Sequence, residues 1–154
     1  MKTKIQETML LIETISAKLG FPINREDYEI QDLGCPHKIS QLPEGKCAVY
    51  MFFYQGMALK IGKANIKTKA RFTYQHYGFN ANSTLAKSIV ADERFVQMGI
   101  TRDNVGDWLK AHTHRINILI NEKCGAAATE LIESVFHYQL RPCFEGALKS
   151  GEKF

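Results

Sequence analysis

The most distinctive chemical feature of this sequence is a cluster of basic side chains in one stretch that contains no acid. Residues 45–91 carry seven lysine and arginine residues and no aspartate or glutamate, whereas residues 1–44 and 92–154 have net charges of −2 and −1. A local excess of positive charge favours a phosphate-rich partner, although a solvated helix face would carry the same charges. The basic residues are Lys46, Lys60, Lys63, Lys67, Lys69, Arg71 and Lys87.

The four cysteines do not form a recognisable metal motif. Their positions (35, 47, 124 and 143) contain no C-x-x-C pair, which argues against a zinc ribbon. The first residues are polar and resemble an amphipathic helix more than a secretory signal. No apolar run reaches the ~18 residues needed to cross a bilayer. We therefore expect a cytoplasmic protein with reduced cysteines and no membrane partner.

The periodicity of the apolar residues predicts the elements that must position this chemistry. Residues 3–19 have a helical stripe, and residues 20–46 are rich in glycine and proline and are expected to be irregular. Two strand-like runs are separated by Gln55-Gly56 at hairpin distance. The further expected elements are a helix over 66–77, a helix over 85–95 capped by Ser83 or Thr84, a helix over 104–112, a strand over 115–120 and a long helix over 126–140.

This order predicts an α+β fold with a small three-stranded sheet, mixed or antiparallel, flanked by helices. We expect an N-terminal helix and connecting segment over residues 1–44, and a domain that contains the sheet over residues 45–154. The N-terminal part is mildly acidic, so it is not expected to be the main phosphate contact. It would instead extend a recognition surface, cap the sheet or build a dimer.

Two triplets in the expected hairpin carry a family resemblance. Residues 48–50 are Ala-Val-Tyr and residues 60–62 are Lys-Ile-Gly, with Arg71 on the following helix and Glu133 nine residues before Pro142. Over residues 47–145 this pattern resembles the GIY-YIG nuclease superfamily. Ala48 replaces the first glycine, Lys60 replaces the second tyrosine, and Glu145 stands where the family usually has asparagine. The spacing is similar to that of a restriction-endonuclease branch with lysine in place of that tyrosine.

The resemblance implies roles for four side chains. Tyr50 would orient or deprotonate the attacking water, which a phenol does poorly unless a neighbouring cation such as Lys60 lowers its pKa. Arg71 would present its planar fork to two phosphate oxygens. Glu133, preferred to Glu130 one turn away, would ligate one Mg²⁺ or Mn²⁺ that stabilises the leaving oxygen. The structural alternatives are a packed strand tyrosine, a solubilising edge-strand lysine and a surface ion-pair arginine.

Further residues near these four complete the candidate site. Family members often place histidine or tyrosine one turn after the arginine, which makes His76 and Tyr74 candidate site residues; a helix end that packs its aromatic rings is the alternative. Lys63, Lys67 and Lys69 are expected to contact the DNA backbone, which positions a duplex without determining sequence preference. Gly62 would allow close approach of the phosphate backbone.

The expected function is that of a metal-dependent endonuclease that hydrolyses DNA phosphodiester bonds, of a restriction type or associated with a phage. Cleavage of both strands with one active site per chain would favour a homodimer. One alternative is a catalytically inactive nucleic-acid-binding module, which the replaced second tyrosine supports. Another is an RNA-binding or RNA-cleaving protein, because Tyr74, Tyr77 and Phe79 would stack bases.

Overall fold

The computed structural model describes residues 2–144, which form six α-helices and one antiparallel four-stranded sheet. The helices are α1 (Lys2–Lys18), α2 (Lys69–Thr73), α3 (Leu85–Ala91), α4 (Glu93–Val96), α5 (Val105–His112) and α6 (Gly125–Leu140). The strands are β1 (Tyr28–Gly34), β2 (Lys46–Tyr54), β3 (Met57–Ala64) and β4 (His114–Asn121), in the spatial order β1-β4-β2-β3. The predicted α+β class is confirmed, whereas the prediction of three strands is wrong.

The additional strand is β1, which lies in the segment expected to be irregular. It pairs antiparallel with β4 from Tyr28 opposite Ile120 to Gly34 opposite Arg115. Its sequence is half polar, and most of its residues are only partly buried because it lies at the edge of the sheet. A partly buried strand with few apolar residues has little of the alternation between apolar and polar residues by which a strand is predicted from sequence. Residues 1–44 therefore contribute a strand to the sheet formed by the rest of the chain.

The expected hairpin is present as β2 and β3. Gln55 and Gly56 both have positive φ, 49° and 81°, which is the conformation of the tight turns that fit the twist of a hairpin. In the register, Tyr50 lies opposite Gly62 and Phe52 lies opposite Lys60. Tyr50 and Lys60 are therefore diagonal neighbours on the same face of the sheet.

The sheet has an apolar core on each face. On one face, Val49, Met51 and Ile61 pack with residues of α1 and α6, including Met9 and Phe136. On the other face, residues of β2 and β3 pack with residues of α2, α3, α4 and α5. The buried residues of this second core include Tyr50, Phe52, Leu59, Phe72, Leu85, Ile89, Phe95 and Leu109. Because β2 is covered on both sides, its sequence is almost continuously apolar.

Two of the predicted helices are interrupted. Residues 66–77 form a short 3₁₀ helix, then α2, then a second short 3₁₀ helix over Gln75–Tyr77. The Asn65 side chain accepts hydrogen bonds from the backbone of Lys67 and Thr68, and Tyr74 leaves the helical conformation with φ −133° and ψ −19°. Residues 85–96 divide into α3 and α4 at Asp92, whose carboxylate caps α4.

The remaining predicted elements are confirmed to within a few residues: α1, α5, β4 and α6. Thr84 is the N-cap of α3, since its hydroxyl accepts a hydrogen bond from the backbone N–H of Lys87. Among residues 2–144, no helix has the length and apolar character needed to cross a bilayer.

Candidate active site

Tyr50 lies in the middle of β2 and is 1% exposed. Its phenol extends over Gly62, the residue opposite it on β3. A Cβ atom at position 62 would lie 2.6 Å from Tyr50 Cζ, so glycine is needed to leave room for the ring. In the structure, the phenol of Tyr50 occupies the space next to Gly62. The expected role of Gly62, to allow close approach of the phosphate backbone, stays a prediction.

The Tyr50 hydroxyl is hydrogen-bonded to His76, which is 2% exposed, with 2.7 Å between Tyr50 Oη and His76 Nε2. The other ring nitrogen, Nδ1, accepts a hydrogen bond from the backbone N–H of Leu85 at 3.2 Å. Burial, together with the positive charges of Lys60, Arg115 and Arg71, lowers the pKa of His76 to about 3.

These contacts determine the tautomer of His76. A neutral imidazole has one N–H, and because Nδ1 accepts from Leu85, the proton is on Nε2. Nε2–H therefore donates to the oxygen of Tyr50. In this tautomer His76 cannot accept the phenol proton, but its N–H stabilises a negative charge on the Tyr50 oxygen.

Lys60 lies on the same face of the sheet as Tyr50, near His76. It is 8% exposed, and its Nζ donates to the backbone carbonyl of Phe144 at 3.2 Å. Its charge is the largest electrostatic contribution to the lowered pKa of His76 after burial itself. A lysine that only keeps an edge strand soluble would be exposed, so the burial of Lys60 argues against that alternative.

Arg71 lies on α2 and is exposed. It lines a cleft of about 340 Å³ between the end of β3 and the first turns of α6. Lys63, Lys67 and Glu130 line the same cleft. Arg71 is near enough to His76 for its charge to lower the pKa of the imidazole. Among the predicted site residues, Arg71 therefore lies both near the buried Tyr50–His76 pair and along the exposed cleft.

Glu133 lies on α6 and is ion-paired with Lys63. Lys63 Nζ is 2.8 Å from Glu133 Oε2 and 3.5 Å from Glu130 Oε1. The Glu133 side chain is 19% exposed and that of Glu130 is 62% exposed. The hydrogen bond to Glu133 raises the pKa of Lys63. Two carboxylates therefore hold one cationic group at this position.

The predicted site residues fall into two groups around strand β3. Tyr50, Lys60 and His76 are together on one face of the sheet. Side chains alternate along a strand, so Lys63 points to the opposite face, where α6 packs and Glu133 lies. β3 is an edge strand, and the cleft that contains Arg71 and Lys63 lies at its end.

Other predicted residues lie at the surface. Tyr74 is 53% exposed at the end of α2 and is not part of the buried Tyr50 pair. Lys67 and Lys69 are exposed, and neither they nor Arg71 form an ion pair with a carboxylate of residues 2–144. Glu145, which stands where the resembled family usually has asparagine, lies outside the described residues.

The structure adds Arg115 and His37, which the sequence analysis did not select, and both contact Tyr77, which the sequence analysis considered only for base stacking. Arg115 is 0% exposed and donates to the hydroxyl of Tyr77 at 2.9 Å, and that hydroxyl is 2.7 Å from His37 Nε2. The sequence contained one signal for Arg115: on strand 115–120 it alternates with isoleucine, so it shares a face with Asn117. No local pattern indicated the pairing of Tyr77 with His37, which are 40 residues apart.

Comparison of the chain with protein-family models, curated proteins and solved structures gives no match.

Proposed function

We propose that this chain is a metal-dependent endonuclease that hydrolyses DNA phosphodiester bonds and resembles the GIY-YIG nucleases. The observation that carries the proposal is the buried hydrogen bond between Tyr50 and His76 next to the cations Lys60 and Arg71. A tyrosine that only packs in a core has no need of the three cations, Lys60, Arg71 and Arg115, that act on its histidine partner. The hydrogen bond that His76 donates and the nearby positive charges favour the phenolate form that a tyrosine base needs.

In the proposed reaction, Tyr50 holds and deprotonates the attacking water. The N–H of His76 and the charge of Lys60 stabilise the phenolate that takes the proton. Arg71 binds oxygens of the scissile phosphate through its planar guanidinium. His76 holds the phenol in place and does not carry the proton, since its Nδ1 is committed to Leu85.

Glu133 is the residue that would hold a divalent cation, Mg²⁺ or Mn²⁺. Its carboxylate, with that of Glu130, already holds the ammonium of Lys63, which supports the suitability of this position for a cation. Residues 2–144 contain no cluster of three or more histidine, cysteine or acidic side chains that could hold a metal. A site with only one or two protein carboxylates can still bind Mg²⁺, because this ion keeps several waters and also binds phosphate oxygens. When bound, the ion would act as a Lewis acid on the leaving oxygen.

The DNA backbone would lie across the surface formed by Lys67, Lys69 and Arg71. These three cations are exposed and have no ion pair with a described carboxylate, so they are available to phosphates. Each phosphate contact that is removed should reduce the salt dependence of binding by about one unit of slope. One active site per chain makes a homodimer the expected arrangement for cleavage of both strands.

Plasmid cleavage tests the proposal. The protein is incubated with supercoiled DNA and Mg²⁺ or Mn²⁺, beside Tyr50→Phe and Glu133→Gln. Each variant should lose activity by about 10²-fold or more. Tyr138→Phe and Glu93→Gln are matched controls at exposed positions and should retain wild-type activity. Cleavage that survives both Tyr50→Phe and Glu133→Gln would contradict the proposed site.

A catalytically inactive nucleic-acid-binding module is the second candidate. The ion pair of Lys63 with Glu133 favours it, because a carboxylate neutralised by lysine needs no metal. This candidate predicts binding that weakens with salt, without cleavage of any DNA or RNA by the wild type. Matched RNA and DNA substrates test the RNA alternative. For that alternative, Tyr77 is a poor stacking residue, since its hydroxyl is held by Arg115 and His37.

A further inference from the structure

Arg115 is a buried cation under the candidate site. It lies on β4 and is 0% exposed. Its guanidinium carbon is 4.7 Å from the ring centroid of Phe72, 5.1 Å from that of Phe52 and 6.0 Å from that of Tyr50. Aromatic faces attract a cation, but they do not neutralise its charge.

The hydrogen bonds of Arg115 all go to neutral acceptors. Nε donates to Asn117 Oδ1 at 3.0 Å, Nη1 to Tyr77 Oη at 2.9 Å, and Nη2 to the backbone carbonyl of Phe72 at 2.6 Å. No carboxylate among residues 2–144 forms an ion pair with it. A buried charge without a counter-charge is costly, so its presence here requires an explanation.

Two of the three acceptors of Arg115 lie beside candidate site residues in the chain. Phe72 follows Arg71, and Tyr77 follows His76. By binding both, Arg115 attaches the two ends of segment 72–77 to the sheet. Tyr74 interrupts the helical geometry within this segment, between α2 and the 3₁₀ turn over Gln75–Tyr77. His76, the partner of Tyr50, lies in the segment that Arg115 attaches.

The second tyrosine–histidine pair has the opposite hydrogen-bond direction. His37 Nδ1 is 2.8 Å from the carbonyl of Thr113, so it carries the proton, and Nε2 accepts from Tyr77. The Tyr77 proton is therefore committed to His37, while its oxygen accepts from Arg115. Tyr50, in contrast, receives a hydrogen bond from His76. The two phenols therefore differ in direction: the histidine partner of Tyr50 donates to the phenol oxygen, whereas the histidine partner of Tyr77 accepts the phenol proton.

Among the described groups near Tyr50, two favour a negative charge on its oxygen: His76 donates a hydrogen bond to it, and the Arg115 guanidinium carbon lies 6.0 Å from its ring centroid. Lys60 on β3 and Arg71 on α2 are near enough to His76 for their charges to lower the pKa of the imidazole. The rings of Phe52 and Phe72 pack against the Tyr50 ring.

We propose that Arg115 is a positioning residue of the candidate nuclease site and the buried counter-charge of the Tyr50 phenolate. This inference rests on the proposed function for the reaction that it serves. Its first test is independent of activity, because it measures the ionisation of Tyr50 directly. Loss of the Arg115 charge should make the phenolate less stable, whereas loss of the guanidinium fork alone should displace His76 and Arg71.

Ultraviolet difference spectroscopy measures the ionisation of tyrosine against pH. Tyr50→Phe identifies the transition of Tyr50 among the six tyrosines, and Tyr138→Phe, at an exposed position, is the matched control that should leave this transition in place. In Arg115→Met the Tyr50 midpoint should rise by about one pH unit, which corresponds to tenfold less phenolate at a given pH. An unchanged midpoint in Arg115→Met that retains the wild-type circular dichroism would overturn the counter-charge role.

The variant Arg115→Lys distinguishes the effect of the positive charge from the effect of the hydrogen bonds that position segment 72–77. It also provides a test if Arg115→Met does not fold. The ammonium keeps the charge but cannot reach all three acceptors. The Tyr50 midpoint should therefore stay within about half a pH unit of wild type, while plasmid cleavage should fall by about tenfold. Cleavage by Arg115→Lys at the wild-type rate would overturn the positioning role. A wild type that cleaves nothing refutes the proposed function but leaves the spectroscopic result standing.

Discussion

Acidification should lower the free energy of unfolding of this protein through the buried imidazole of His76. The variant His76→Gln should lack the part of this decrease that comes from His76. Burial and the neighbouring cations lower the pKa of His76 to about 3 in the folded chain. The unfolded chain binds a proton there below about pH 6.5. Between these pH values the unfolded state binds more protons, so stability is lost as the pH falls and is retained above about pH 6.5.

The expected size of this effect follows from the two pKa values. Between pH 7 and pH 5 the protonation of the unfolded chain should lower the free energy of unfolding by about 2 kcal/mol, since each pH unit below about 6.5 contributes about 1.4 kcal/mol. Urea denaturation at both pH values measures the loss. Wild type should lose about 2 kcal/mol more than His76→Gln between pH 7 and pH 5.

The exposed residue His112 provides the matched control, and His112→Gln should show the wild-type dependence on pH. His37 is also buried, and burial lowers its pKa as well. It is present in all three proteins, so its contribution cancels in the comparison. Equal losses in wild type and His76→Gln would refute the buried, neutral state assigned to His76.

Two further substitutions test the local packing of the candidate site. Gly62→Ala should destabilise the fold by about 1–3 kcal/mol in thermal denaturation, because the added Cβ overlaps the phenol of Tyr50. Gly78→Ala adds a Cβ where no atom lies within 4 Å and should have little effect; equal effects of the two changes would contradict the packing. Thr84→Ala removes the N-cap of α3 and should cost about 1 kcal/mol in urea denaturation. The exposed Ser83→Ala is its control, and a cost as large as that of Thr84→Ala would refute the capping assignment.

Elements with a strong local signal were predictable from the sequence. The hairpin of β2 and β3 follows from two apolar runs separated by Gln55-Gly56, which have the positive φ angles that this turn requires. The helices α1, α5 and α6 follow from their apolar spacing and their flanking breaker residues. In each case the residues that decide the structure are near one another in the chain.

Elements that depend on distant partners were not predictable in this way. β1 exists because β4 offers it a hydrogen-bonding edge, and its own residues have little apolar alternation. The helix expected over residues 66–77 is interrupted after Thr73, where Arg115 binds the carbonyl of Phe72. That binding competes with continuation of the helix and comes from a residue 43 positions away.

The candidate site shows the same division. The sequence by itself determined the acid-free basic stretch and the hairpin that carries Tyr50 and Lys60, because charge and a two-residue turn are local properties. The register shift between Phe52 and Phe53, which places Tyr50 and Lys60 on one face, was not evident from the sequence. The tertiary structure decided that His76 turns inward to Tyr50, that Arg115 is buried with no carboxylate partner among residues 2–144, and that Lys63 holds Glu133. These features depend on which surfaces meet when the helices pack on the two faces of the sheet, and local patterns do not contain that information.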